Sequence, residues 1–395
     1  MRLLCLILLV TIFSDISAQK AGFPADPKAT KHTIALFQNL RQTRDNRILF
    51  GHQDDLAYGV YWRQEEGRSD VQETCGQYPA VFGWDLGSRF GPGKMTNIDS
   101  VRFNDMKHWI RKVYEMGGVN TLSWHLDNLV TGGNSWDTTA AVRQILPGGI
   151  YHERLTEQLD VLADLFKSLK TEGMKKRSIP VIFRPWHEHT GRWFWWGAHA
   201  CTPEEYKTLF RFTVDYLRGK GVHNVLYAYS PDFFVDEEHY MRNYPGDDYV
   251  DLFGLDYYYR LDNLDRIQTD LPLKLGIMAR LAAQHGKIAA FTETGFEAIP
   301  NETWWTQMLL SSLNAASAED RIAYVLVWRN ANHASRAEHF YVPYPGHKSA
   351  KDFVAFSKDQ RMCFQGDLPK LYKKPRKVTS VKKKTPEVTK VSEMK

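Results

Sequence analysis

Eight short apolar runs, helical segments between them, and a polar or aromatic cluster closing each run predict one (β/α)8 TIM barrel. The runs are Arg47–Gly51, Ala80–Asp85, Val119–His125, Ile179–Glu188, Val225–Ser230, Val250–Tyr257, Ile288–Glu293 and Ala323–Trp328. Most are apolar at consecutive positions rather than alternating, as strands covered on both faces of a parallel sheet are.

The segments between them carry helix signals. From Tyr151 to Lys170, Leu155, Leu159, Leu162, Phe166 and Leu169 recur at helical spacing, and Gly173 follows as a stop. Thr202-Pro203-Glu204-Glu205 reads as a capping box with proline at the first helical position. Asp99–Met116, Leu271–His285 and Thr303–Ala315 are further predicted helices.

The run ends read His52-Gln53-Asp54, Trp84-Asp85, Trp124-His125, Trp186-His187-Glu188, Pro231-Asp232, Asp256-Tyr257-Tyr258, Thr292-Glu293 and Trp328-Arg329. In this architecture strand interiors fill the barrel and strand ends build the reactive face. Eight such ends in succession exceed what turn chemistry alone requires.

Composition bounds the rest. Of 395 residues, 43% are hydrophobic and 25% charged, an ordinary globular balance. Aromatic content is high at 13%, including 12 Trp and 19 Tyr, which suits a cleft that stacks on sugar rings. Arg2, the apolar run Leu3–Phe13 and Ile16-Ser17-Ala18 predict an export leader over residues 1–18, giving a secreted protein, periplasmic or extracellular. No run is long enough to span a bilayer. The net charge of +5 comes from the C-terminus: from Lys370 onward ten Lys or Arg stand against two Glu, which leaves the rest at −3. Residues 370–395 therefore read as a solvated, disordered tail, and 19–369 as the catalytic domain. No nucleic-acid partner is expected, and the chain is expected to be a monomer. Cys75, Cys201 and Cys363 allow at most one intramolecular disulfide and lack zinc-site spacing.

Glu188 and Glu293 close the fourth and seventh runs, which face each other across a barrel mouth. Two opposed carboxyl groups are what glycosidic cleavage requires: about 5–5.5 Å apart for retention, wider for inversion. Trp186, Trp193, Trp195 and Trp196 predict crowding that holds a proton on Glu188. Tyr258 or Arg184 is expected to keep Glu293 ionised.

The stretch from Phe183 through Pro185-Trp186-His187-Glu188-His189-Thr190-Gly191-Arg192-Trp193 to Gly197 resembles the acid/base motif of glycoside hydrolase family 26. Phe291-Thr292-Glu293-Thr294-Gly295 is similar to its nucleophile motif, and Gly51-His52-Gln53 and Pro79–Asp85 to its early strands. The matches span roughly residues 35 to 360. Most members are retaining endo-β-1,4-mannanases on a (β/α)8 barrel; some act on β-1,3-xylan or mixed-linkage glucan. The resemblance implies Glu188 as acid/base, Glu293 as nucleophile, and a β-mannan poly- or oligosaccharide as substrate, with no cofactor. It places His125, His187 and Trp328 around the −1 sugar, Trp193 at +1, and Asp256 and Tyr258 beside the nucleophile. Trp136 is assigned to the glycone side. Endo or exo attack stays open.

Two other classes fit parts of the pattern. His187 and His189, if alternate on one strand, share a face and invite a metal-dependent hydrolase. A non-catalytic glycan-binding barrel would keep the aromatic residues but need only one carboxylate.

Overall fold

A computed structural model describes residues 22–91, 94–315, 321–331 and 338–375. The expected leader, and the basic tail beyond residue 375, lie outside these residues.

All eight expected strands form: β1 (Ile48–Gln53), β2 (Val81–Asp85), β3 (Val119–Ser123), β4 (Val181–Arg184), β5 (Val225–Tyr229), β6 (Leu252–Asp256), β7 (Ile288–Thr294) and β8 (Tyr324–Val327). Each pairs in parallel with the next, and β8 pairs with β1 at Leu49↔Tyr324, which closes the barrel. Every strand residue is buried, which accounts for the continuous apolar runs.

Two apolar layers result. Leu49, Val81, Ile182, Leu226, Leu252, Ala290 and Leu326 fill one cluster, joined by Leu36, Phe37 and Leu40 of the helix Lys31–Thr43. A larger cluster holds strand and helix side chains, among them Leu155, Leu159, Leu162 and Phe166 of the helix His152–Ser168. The helix Pro203–Gly219 opens with the expected capping box: Thr202 Oγ1 accepts from the Glu205 amide and the Glu205 carboxylate from the Thr202 amide.

The structure departs from the sequence reading at several points. The helix placed at Leu271 begins at Leu264, so Pro272, which suits a helix start, stands in its interior. The helix at Thr303 opens as a seven-residue π-helix, Trp304–Leu310, in which adjacent Trp304 and Trp305 are both fully buried. The folded unit runs past 369: Leu371 is buried in the core, and the Tyr372 ring lies 4.5 Å from that of Tyr114. All three described cysteines are free thiols.

Candidate active site

The C-terminal ends of β3, β4, β6 and β7 converge on one cleft. Strand β4 stops at Arg184, and the chain then turns sharply: Trp186 and Glu188 take left-handed backbone conformations, with φ of 53° and 52°. Bulky residues adopt this region only when their surroundings fix them, and such strain concentrates at functional sites. Here the Tyr206 hydroxyl donates to the Trp186 carbonyl at 2.9 Å, and the Glu188 amide to the Ser230 carbonyl at 2.8 Å. The turn aims the Glu188 side chain into the cleft, half-buried.

Glu293 is aimed differently. Strand β7 carries one residue more than either neighbour around Thr292, since Leu255↔Phe291 is followed by Asp256↔Glu293, and Val325↔Phe291 by Val327↔Thr294. Such a bulge re-aims a side chain. Thr292 Oγ1 pins it, bonding the Leu255 carbonyl at 3.0 Å and Asp256 Oδ1 at 2.7 Å.

The two carboxyl groups meet opposite electrostatics. Arg184, buried at the end of β4, grips Glu293 with Nη2 and Asp256 with Nη1. The Tyr258 hydroxyl donates to Glu293 Oε1 at 2.7 Å. Both contacts fix the direction of the Glu293 carboxylate. Glu188 meets an indole N–H where Glu293 meets a guanidinium. Burial, then the charges of Glu293, Asp256 and Asp232, push the Glu188 carboxyl well above the usual range, against one hydrogen bond from Trp193.

Across the cleft, His125 Nδ1 bonds Asp85 Oδ2 at 2.6 Å, and its Nε2 lies 3.3 Å from His187 Nε2. Burial lowers the His125 pKa, but Asp85 outweighs it and the net shift is upward. His187 is driven well below its usual value by burial and then by Arg184 and His125, so it stays neutral. Trp136 stacks on His125 with centroids 5.3 Å apart, and Trp328 lies 6.3 Å from the same ring.

A family model described as glycosyl hydrolase family 26 matches residues 25–298. The chain belongs to glycosyl hydrolase family 26. It is 36% identical, over 84% of its length, to a mannan endo-1,4-beta-mannosidase of Bifidobacterium adolescentis, of which it spans 34%. A second mannan endo-1,4-beta-mannosidase, from Bacillus subtilis, is 28% identical over 78% of this chain and 89% of its own. The solved GH26 beta-mannanase BoMan26A of Bacteroides ovatus superposes with a TM-score of 0.81 at 45% identity, covering 87% of this chain and 98% of that one.

Within this family 26 chain, the residues expected at the site do gather. Glu188, Trp193, Asp256 and Tyr258 line one cavity, and Glu293 sits behind Tyr258 and Arg184. His125, His187, Trp136 and Trp328 form the connected set opposite. The tryptophan reading needs correction. Nine of the 12 Trp are buried, and Trp186, Trp195 and Trp196 send their indole N–H groups to Thr213, the Leu126 carbonyl and the His187 carbonyl. They support the loop from beneath; of the four expected to crowd Glu188, only Trp193 hydrogen-bonds it. Trp136, Trp193 and Trp328 are the ones left partly open.

The premise of a shared metal face also fails. The left-handed turns break strand alternation, so His187 meets His125 while His189 bonds Asn243 and packs on Tyr206 and Tyr229. Among the described residues no group of three His, Cys, Asp or Glu is placed to hold a metal ion. In the sequence Asp85 and Thr292 stand at run ends and within family motifs, with no role assigned to either. Strand-end position was the signal for Asp85; the bulge that makes Thr292 a fastener leaves no mark in one sequence.

Proposed function

We propose that this chain hydrolyses internal β-1,4-mannosidic bonds of mannan, galactomannan or glucomannan, with retention of anomeric configuration. In this reading Glu293 attacks the anomeric carbon of the −1 sugar while Glu188 gives its proton to the departing glycosidic oxygen. Water, deprotonated by Glu188, then releases the sugar from Glu293, and each carboxyl group returns to its starting state. What supports the reading is Glu293, held by Arg184 and Tyr258, close enough that its charge, after burial, helps push the Glu188 carboxyl well above the usual range. His125, His187 and Trp328 are assigned to the −1 sugar, Trp193 to +1, and Trp136 to the glycone side. Export after cleavage of residues 1–18 belongs to the same proposal.

Product analysis over time on linear mannan and galactomannan tests it. Random shortening with the β-anomer appearing first is expected. Steady release of disaccharide contradicts internal attack, and first appearance of the α-anomer contradicts retention. Glu188→Ala is expected to lose about 10²–10⁴-fold in kcat/KM on mannan, and Glu293→Ala at least as much.

A further inference from the structure

Besides Trp193, the cavity beside Glu188 carries an aromatic ring that the family motifs do not include. Phe233 is 48% exposed and lines the same cavity as Glu188, Trp193, Tyr257 and Tyr258. Its neighbour Phe234 is fully buried and packs edge-on against Tyr240, with centroids 4.9 Å apart. Adjacent phenylalanines thus point one inward and one outward. The inward ring anchors the loop, so the outward ring stays at the cleft although it exposes apolar surface.

The loop is fastened on two further sides. Thr190 Oγ1, two residues from Glu188, accepts from the Asp232 amide at 3.1 Å and the Phe233 amide at 3.0 Å, and donates to Asp232 Oδ1 at 2.6 Å. From below, Lys274 of the helix Leu264–Gln284 donates Nζ to the Phe234 carbonyl. The same ammonium lies 5.1 Å from the Phe233 ring centroid, 4.9 Å from that of Phe234 and 5.8 Å from that of Tyr257. Lys274 is only 8% exposed, an expensive place for a charge unless it holds something.

We propose that Phe233 is a stacking platform for a second aglycone sugar, beyond the one on Trp193, and that Lys274 is the positioning residue that fixes its ring. The inference rests on the mannan-hydrolase reading and deepens it. A platform one sugar farther from the cut strengthens binding of long chains and adds nothing for a substrate whose leaving group ends at +1.

The test compares kcat/KM for mannopentaose with that for an aryl β-mannobioside, in the full chain. Phe233→Ala is expected to lower the ratio of the two about tenfold, and Phe233→Tyr to restore it. Lys274→Met is expected to lower the same ratio, with KM for mannopentaose rising more than kcat falls. A Phe233→Ala ratio equal to the wild type, whether neither or both substrates suffer, overturns the platform and leaves the mannan reading intact. Wild-type protein that turns over neither substrate overturns both.

Discussion

The indole N–H of Trp193 donates to Glu188 Oε2 at 2.6 Å. That bond favours the charged carboxylate, whereas burial and three neighbouring carboxylates favour the neutral acid. The residue assigned to stacking at +1 therefore also bears on the acidity of the carboxyl group proposed as proton donor. Trp193→Phe keeps a ring and deletes the donor. The alkaline limb of kcat/KM is expected to move to higher pH, with kcat falling about threefold to tenfold from looser orientation. A pH–rate profile on a soluble mannan reads both effects.

Asp232 acts in the opposite sense. It is buried beside the Glu188 loop, its own pKa is pushed up to about 6, chiefly by burial, and its charge helps keep Glu188 protonated. In Asp232→Asn the alkaline limb is expected to shift to lower pH, opposite to Trp193→Phe. The two shifts, measured in one buffer series, separate an electrostatic influence on Glu188 from general damage to the loop, which would move both variants alike.

Tyr258 supplies one of the two donors on Glu293. Tyr258→Phe removes the hydroxyl and leaves Arg184 in place. A charge-assisted hydrogen bond is worth about 1.5–3 kcal/mol, so kcat is expected to fall roughly tenfold to a hundredfold. Activity measurements on mannopentaose check this, and circular dichroism is expected to show an unaltered fold.

The Asp85–His125 pair predicts a pH window. His125 is raised above its usual value, so the stability it contributes is complete below about pH 6.5 and is lost as pH rises through the folded value. Asp85 is held below the carboxylate range by His125 and by Ser123, despite burial, so its contribution is present above about pH 4 and lost as pH falls through the folded value. Asp85→Asn is expected to drop the His125 midpoint in an imidazole NMR titration below that of the parent protein. It is also expected to flatten the difference in thermal stability between pH 5.5 and pH 8.

Much of this was legible before any coordinates. Eight apolar runs marked strands buried on both faces, and their polar ends marked the reactive rim, because parallel strands all end on the same face of a barrel. Thr202-Pro203-Glu204-Glu205 specified its own helix start, since every partner lies within one turn. The start of the helix Leu264–Gln284 was less legible, because a helix packed along its length carries Pro272 in its interior despite the local preference.

The sequence by itself determined the barrel, the two carboxylates and the residues around them, because strand periodicity and motif are properties of neighbours along the chain. Only the tertiary structure decided what surrounds each of the two carboxyl groups. That depends on Arg184 reaching from β4 to Asp256 and Glu293, on the extra residue in β7 and on the left-handed turn at Glu188. It likewise decided that Trp186, Trp195 and Trp196 support the cleft while Trp136, Trp193 and Trp328 face it. Burial and charge act through space, between residues as far apart as Arg184 and Glu293, and no spacing along one chain encodes them.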